Sequence, residues 1–243
     1  MNTTLKYYNN NADLFYENTA HVDMGSLYAA FLGYLPQHAK ILDLGCGSGR
    51  DTLYFKNQGH HVAAIDYAEE LVARARALSG VDVAVASFYD LNETESYDGI
   101  WACASLLHCD RDRLTDVLGR ILTALKPNGV CYMSFKYGQQ DREIEGRHFT
   151  DLNEAQANAL LKQHAQAVLL QQWISVDQRP DRHEEWLNLI WKRSSHSFEY
   201  YPQQIYSRRE IIEQKVIPKT NGVYFWWFKN LPDTVPFEDC IQF

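Results

Sequence analysis

The sequence predicts an α/β protein with a mostly parallel seven-stranded sheet and helices on both faces. Three observations carry this. From about Ala39 onward, short apolar runs alternate with stretches of helical period, and strands that alternate with helices build right-handed βαβ units. The first apolar run passes straight into a glycine-rich turn, Gly45-Cys46-Gly47-Ser48-Gly49. The last two strands are separated only by residues 177–184. That is too short for a crossover helix, so this pair is antiparallel and ends the sheet in a hairpin.

Residues 1–38 are polar at first and then apolar (Leu27, Tyr28, Phe31, Leu32, Tyr34, Leu35) and predict one or two helices that cap the sheet as a helical lid. Lys40-Ile41-Leu42-Asp43-Leu44 is a buried strand, followed by a helix over 50–58 with Gly59 as its stop. A strand over 61–65, closed by Asp66, leads to a helix over 68–78 with Leu71, Val72 and Ala75 facing inward. Strands over 81–85 and 97–103 follow. The helix over 111–125 has the clearest period (Leu114, Val117, Leu118, Ile121, Leu122, Leu125) and is stopped by Pro127 and Gly129. A strand over 130–135, a helix over 153–164 and the two strands near 168–176 and 186–192 complete a core spanning 39–193. Residues 136–150 and 177–184 are expected as loops, and 194–243 as a C-terminal extension.

The chain has 243 residues, 46% of them hydrophobic, and a formal net charge of −8. The composition excludes a disordered chain and a generally basic protein held to nucleic acid by counterion release. No apolar run of about 18 residues is present, so no membrane-spanning helix is expected. The polar start, Met1 to Tyr8, lacks the apolar core of a signal peptide, so a cytoplasmic location is expected. Five cysteines, an odd number without CxxC spacing, fit reduced thiols. No HExxH or similar spacing occurs, and no metal is expected.

The glycine turn lies between a strand and a helix, where backbone can approach a ligand closely and present N–H groups. Asp43 stands two residues before the first glycine, and Asp66 stands 17 residues beyond Gly49 at the end of the next strand. A carboxylate there is placed to accept both hydroxyls of a ribose. The spacing is Gly-x-Gly-x-Gly, and Arg50 stands where a dinucleotide site needs room for the pyrophosphate. The pattern therefore favours a ribose-bearing ligand without a pyrophosphate.

Ile41-Leu42-Asp43-Leu44-Gly45-Cys46-Gly47-Ser48-Gly49 resembles the nucleotide-binding signature of class I S-adenosylmethionine-dependent methyltransferases, over roughly residues 7–192. The resemblance implies a Rossmann-like fold and S-adenosylmethionine as cofactor. It places Gly45, Cys46, Gly47 and Gly49 against the methionine part and Asp43 near the ammonium, directly or through water. Arg50 would face the carboxylate, Asp66 would bind the ribose hydroxyls, and Tyr67 would pack near the adenine. Ser87 and Phe88 fall where the family contacts the adenine, and Ala104, Ser105 and Leu106 where it contacts cofactor and substrate.

Methyl transfer is an in-line displacement in which the enzyme contributes mainly orientation, and a sulfonium is favoured by aromatic faces. Among Tyr7, Tyr8, Phe15 and Tyr16, we assign Tyr8 and Tyr16 as lid residues that close over the cofactor. His108, after the fourth strand, is the candidate general base. The Asp/Asn-Pro-Pro-aromatic motif of base-modifying amino methyltransferases is missing at this place. The segments 136–150 and 177–184 bring Lys136, Arg142, Arg147, His148, Arg179, Arg182 and His183 to the carboxyl ends of the strands. A positive mouth there points to an anionic substrate, unless Glu143, Glu145, Asp151, Asp177, Asp181 and Glu184 neutralise it pairwise. Lys136, Arg142, Arg147, Arg179 and Arg182 are the substrate-binding candidates. The expected activity is methyl transfer to an oxygen or nitrogen of a small, anionic molecule. A tRNA or other nucleic-acid methyltransferase, which the acidic charge disfavours, and a non-catalytic cofactor-binding sensor remain as alternatives.

In the extension, Gly222-Val223-Tyr224 followed by aromatics resembles the first strand of a GIY-YIG nuclease-type domain, of which only that opening is present. An aromatic strand left exposed is a pairing edge, so the extension is expected to dock on the sheet or to be shared between chains in a homodimer.

Overall fold

The computed structural model describes residues 3–177, 179 and 182–195. Residues 198–243 lie outside them. So do the GIY-YIG-like opening and the expected dimer contact.

Three short helices, α1 (Thr3–Asn10), α2 (Ala12–Thr19) and α3 (Gly25–Leu32), precede strand β1 (Lys40–Leu44). The core then alternates: α4 (Arg50–Asn57), β2 (His61–Asp66), α5 (Glu69–Ser79), β3 (Val83–Val85), β4 (Tyr97–Ala102), α6 (Leu114–Ala124) and β5 (Leu125–Lys136). A small hairpin, β6 (Asp141–Ile144) and β7 (Arg147–Thr150), precedes α7 (Glu154–Lys162), β8 (Ala167–Val176) and β9 (Glu185–Arg193). The main sheet has the order β3-β2-β1-β4-β5-β9-β8. Its first five strands pair in parallel, and β9 pairs antiparallel with both β5 and β8. The predicted seven-stranded sheet with a terminal antiparallel pair is the one observed.

Both sheet faces are covered, which is why the central strands are apolar at consecutive positions rather than alternating. Ile100 and Ala102 of β4, Cys131, Met133 and Phe135 of β5, and Leu187, Leu189 and Trp191 of β9 point into one core with α6 and α7. The intervening Trp101, Tyr132 and Ile190 point into the other, with Tyr28 and Phe31 of α3 and Phe55 of α4. Trp101 and Tyr132 stack at 4.0 Å across the β4–β5 pair. Each such fully buried apolar side chain is worth about 1.5–3 kcal/mol. The apolar stripe of α6 (Leu114, Val117, Leu118, Ile121, Leu122) is buried as its 3.6-residue period requires. Asn153 caps α7, its side chain accepting from Gln156 N while Gln156 Oε1 accepts from Asn153 N.

Three elements differ from the expectation. The N-terminal segment forms three helices, not one or two. β5 begins at Leu125, so Pro127 and Gly129 sit inside the strand, at an irregularity where the β4 register shifts between Tyr97 and Gly99. Residues 136–150 are not a loop throughout but contain β6 and β7, joined by Glu145 (φ 54°) and Gly146 (φ 78°). Two consecutive positive φ angles are the tight turn whose twist suits a hairpin.

Gly49 ends the glycine turn with φ 82° and abuts α5, where a Cβ would lie 2.7 Å from Ala75 Cα. Gly146 shares the positive φ, but a Cβ there meets nothing within 4 Å. Gly49→Ala is therefore expected to cost about 1–3 kcal/mol of backbone strain plus the clash with α5, and Gly146→Ala only the strain. Urea unfolding midpoints check this: the Gly49 variant must be the less stable of the two.

Candidate functional site

A cavity of about 560 Å³ opens at the carboxyl ends of the central strands. Ligands in open α/β sheets bind at this end, and the volume suits a small-molecule site. Its floor is the glycine turn after β1 (Gly45, Cys46, Gly47, Ser48) and Cys103 and Ala104 after β4. Tyr132, Ser134 and Lys136 of β5 and Trp186 and Asn188 of β9 form one wall. Tyr7 and Tyr8 of α1 and Phe15 of α2 form another.

The glycine turn is held to the sheet by its own backbone, since Gly45 N and Cys46 N both donate to Ile65 O of β2. Asp66, the last residue of β2, fixes it further: Oδ2 accepts from Gly47 N at 2.8 Å and Oδ1 from Ala68 N at 2.9 Å. Burial raises the Asp66 carboxyl above the usual carboxylate range, against these N–H donors, which favour its ionised form. Each oxygen keeps a lone pair for a further donor. Phe15 lies over the turn, so that a Cβ on Gly47 would come within 3.0 Å of its ring.

Arg50, first residue of α4, grips Asp51 through Nε (2.6 Å) and Nη2 (3.0 Å) and donates through Nη1 to Thr19 O at the end of α2 (3.2 Å). Burial opposes a charge on Asp51, yet Arg50, Tyr28 and Trp101 together hold its carboxyl below the ordinary value. Asp43 is buried beneath the turn and accepts from Thr52 Oγ1 at 2.6 Å. Burial and the nearby Asp51 raise its carboxyl well above the ordinary range.

His108 ends a short 3-10 turn, Leu106–His108, and is bonded at both ring nitrogens: Nδ1 to His148 O at 2.6 Å and Nε2 to the Tyr8 hydroxyl at 2.7 Å. Burial pushes the imidazole down to about 4 although the His148 carbonyl favours its charge. Burial likewise pushes Tyr8 up to about 12, against the attraction of Arg147.

The mouth is charge-balanced. Among the described residues lining the cavity, the cations Arg50, Lys136, Arg147, Arg179 and Arg182 are matched by Asp23, Asp51, Glu145, Asp177 and Glu184. Lys136 bonds Glu184, Arg147 bonds Glu145 at 2.7 Å, Arg179 bonds Asp177 at 2.5 Å, and Arg182 stands 3.9 Å from Glu184. Burial would raise Asp177, but Arg179 overcomes it and holds the carboxyl at about 2. The pairwise neutralisation weighed from the sequence is thus present, and the expected positive mouth is corrected.

Of the site residues predicted from sequence, Tyr8, Gly45, Cys46, Gly47, Arg50, Ala104, His108, Lys136, Arg147, Arg179 and Arg182 line this one cavity. Others do not. Tyr16 is off the wall because the inward face of α2 carries Asn11, Leu14, Phe15 and Asn18, one helical phase away. Phe15 takes the place expected of Tyr16, and the i, i+3, i+4 spacing of that stripe is the signal that identifies it. Arg142 is drawn off the cavity by the buried Asp151, at 2.5 Å. The His148 side chain turns to Glu143 and Thr150, leaving only its carbonyl at the site. Gly49 caps α4 away from the wall. Ser105 and Leu106 are buried behind Ala104. Ser87 caps the 3-10 turn Phe88–Asp90, Phe88 packs on Tyr89 at 4.6 Å, and Tyr67 is 48% exposed beyond Asp66. Among the described residues, no cluster of His, Cys, Asp and Glu is arranged to hold a metal, and no helix is long and apolar enough to cross a membrane.

The donor set fits S-adenosylmethionine. A carboxylate with spare lone pairs ends β2, a glycine turn borders the cavity, and a guanidinium and aromatic faces stand opposite. Residues 41–129 match the family described as a methyltransferase domain. A methyltransferase of Staphylococcus carnosus is 27% identical over 131 residues, which are 51% of this chain and 63% of that protein. The malonyl-[acyl-carrier protein] O-methyltransferase of Enterobacter lignolyticus is 30% identical over 105 residues, 42% of this chain and 41% of that one. The matches thus span about two fifths to three fifths of these relatives' lengths. Among solved structures, the Burkholderia thailandensis 1,6-didemethyltoxoflavin-N1-methyltransferase, bound to 1,6-didemethyltoxoflavin and S-adenosylhomocysteine, is 25% identical with a TM-score of 0.64, covering 78% of this chain and 85% of that one. The glycine turn, the strand order and these matches agree: residues 41–129 form a methyltransferase domain, and the fold is that of the class I S-adenosylmethionine-dependent methyltransferases.

Proposed function

We propose that the chain transfers a methyl group from S-adenosylmethionine to an oxygen or nitrogen of a small molecule. One observation supports this reading most directly: the Asp66 carboxylate, which would bind the ribose, accepts from the N–H of Gly47 and so stands behind a glycine turn that floors a cavity of small-molecule size. When bound, the donor supplies an electrophilic methyl carbon. Asp66 would bind its ribose hydroxyls, Arg50 its carboxylate, and the turn Gly45–Ser48 would lie along its amino-acid part. The aromatic walls, Phe15 and Tyr8, favour the sulfonium and keep water from it.

The two relatives named above, an N1-methyltransferase and an O-methyltransferase, support an O or N acceptor. The balanced mouth removes the field argument for an anionic acceptor. Recognition instead falls to the polar ladder inside the cavity, where Tyr132 OH donates to Asn188 Oδ1 at 2.7 Å and Asn188 Nδ2 donates to Ser175 Oγ at 2.9 Å. A carboxylate or phosphate on the acceptor would have to displace Glu184 from Lys136. The N-terminal helices, which supply Tyr8 and Phe15, would act as the lid.

Three outcomes are expected. The full chain, given S-adenosylmethionine and a panel of small O- and N-nucleophiles, produces S-adenosylhomocysteine with at least one of them, as read by mass spectrometry; donor binding with no turnover across the panel would favour the sensor reading. Asp66→Ala removes charge-assisted hydrogen bonds worth about 1.5–3 kcal/mol, so calorimetry should show donor affinity falling about 10- to 100-fold, and an unchanged affinity would contradict the assignment. Phe15→Leu removes an aromatic face worth about 0.5–2 kcal/mol to a cation. It should weaken S-adenosylmethionine more than the uncharged S-adenosylhomocysteine; equal weakening would place the sulfonium elsewhere.

A further inference from the structure

The His108 ring is committed at both ends. Nδ1 faces the carbonyl of His148. A carbonyl only accepts, so Nδ1 carries the ring proton. Nε2 then holds a lone pair in the neutral ring, and the Tyr8 hydroxyl donates to it at 2.7 Å. The basic nitrogen of His108 is therefore covered by Tyr8 and cannot meet a cavity ligand directly. Tyr8 lines the cavity, and its oxygen, which the Arg147 guanidinium also approaches as a donor, keeps a lone pair for a ligand. Tyr8 is fixed in place edge-on to Phe15 (5.3 Å), Tyr7 (5.5 Å) and His108 itself (5.3 Å).

We propose that Tyr8 receives the acceptor's proton and passes its own to His108, with the His148 carbonyl as the anchor of the relay. The proposal rests on the methyl-transfer reading and assigns its proton path. As the acceptor oxygen or nitrogen gains the methyl group, its bond to hydrogen breaks and the proton goes to Tyr8 Oη. The original Tyr8 proton moves to His108 Nε2. Tyrosine ends neutral and histidine ends as imidazolium. The donor entered as a cation and leaves neutral, so the net charge of the cavity is unchanged, and the proton departs to water when the products leave.

The surroundings suit a transient charge. Arg147 of β7 stands beside the Tyr8 hydroxyl and lowers its pKa, while Asp66 at the end of β2 and Tyr7 on the same helix raise it. Arg147, Lys136 of β5 and the His148 side chain disfavour a cation on His108, and the His148 carbonyl favours it. Glu145 neutralises Arg147, Glu184 neutralises Lys136, and Glu143 holds the His148 side chain. With His108 pushed down to about 4 and Tyr8 pushed up to about 12 by burial, the pair rests neutral around pH 7.

The test uses the full chain labelled with 15N-histidine and followed by NMR from about pH 3 to about pH 8, across the depressed and the ordinary histidine range. Wild type should show the Nδ1-protonated ring with His108 titrating near 4. In Tyr8→Phe the donor to Nε2 is lost, so the His108 pKa should rise by about one unit. With an acceptor that turns over, Tyr8→Phe and His108→Gln should each lower kcat about 100-fold, and the double variant should lose no more, as members of one unit do. A proton on Nε2 in the neutral ring, an unmoved His108 titration in Tyr8→Phe, or additive losses would overturn the relay alone. Failure of wild type to bind S-adenosylhomocysteine in calorimetry would overturn the methyl-transfer reading and the relay with it.

Discussion

The carboxylate of Asp51 is buried where α3, α4 and β4 meet, and donors close on it from three directions. Tyr28 OH of α3 lies at 2.5 Å, Trp101 Nε1 of β4 at 2.8 Å, and the Arg50 guanidinium of α4 at 2.6 and 3.0 Å. A buried carboxylate stripped of such partners costs several kcal/mol, so the N-terminal helices cannot leave the sheet without exposing or orphaning this group. The same contact orients Arg50, whose free edge reaches Thr19 O at the end of α2. One satisfied charge thus ties the lid, the helix after the glycine turn and the central sheet into one frame, and the cavity is the space that frame encloses.

Within that frame the two ends of the cavity do different work. The end at the glycine turn is built of backbone and fixed carboxylates, suited to holding a ligand of constant shape. The other end is built of side chains on β5, β8, β9, the β6–β7 hairpin and the segment between β8 and β9, including three ion pairs at the mouth (Lys136–Glu184, Arg147–Glu145 and Arg179–Asp177). Such a division lets one donor site serve differing acceptors by changes in side chains. Tyr8 stands at the junction, packed on Phe15 at the turn and bonded to His108 across the cavity.

Much of this was legible in the sequence because it depends on local pattern. Asp43, the three glycines and Asp66 fall at strand ends that apolar runs mark out, and the short 177–184 segment fixes the sense of the last pair. The hairpin β6–β7 was missed because its strands are four residues each and mostly charged, although Glu145-Gly146 is a usable turn signal. Tyr16 and Phe15 are adjacent and both aromatic, so choosing between them required the phase of α2, which Leu14 and Asn18 could have supplied. The neutral mouth could be posed from the sequence but not decided: whether Arg142 turns to Asp151 and Arg147 to Glu145 is a matter of side-chain reach in three dimensions. Likewise the pairing of Tyr8 with His108, 100 residues apart, arises only when α1 folds back over the turn that follows β4.

The central claim is that the glycine turn with Asp66 receives an adenosine-bearing donor. The most direct measurement is hydrogen exchange of the full chain with and without S-adenosylhomocysteine. The account predicts slowed exchange at the Gly45–Ser48 amides, at the end of β2 around Asp66 and along α1 and α2, as the lid settles on the ligand. Protection confined to other regions, or none at saturating ligand, would contradict it.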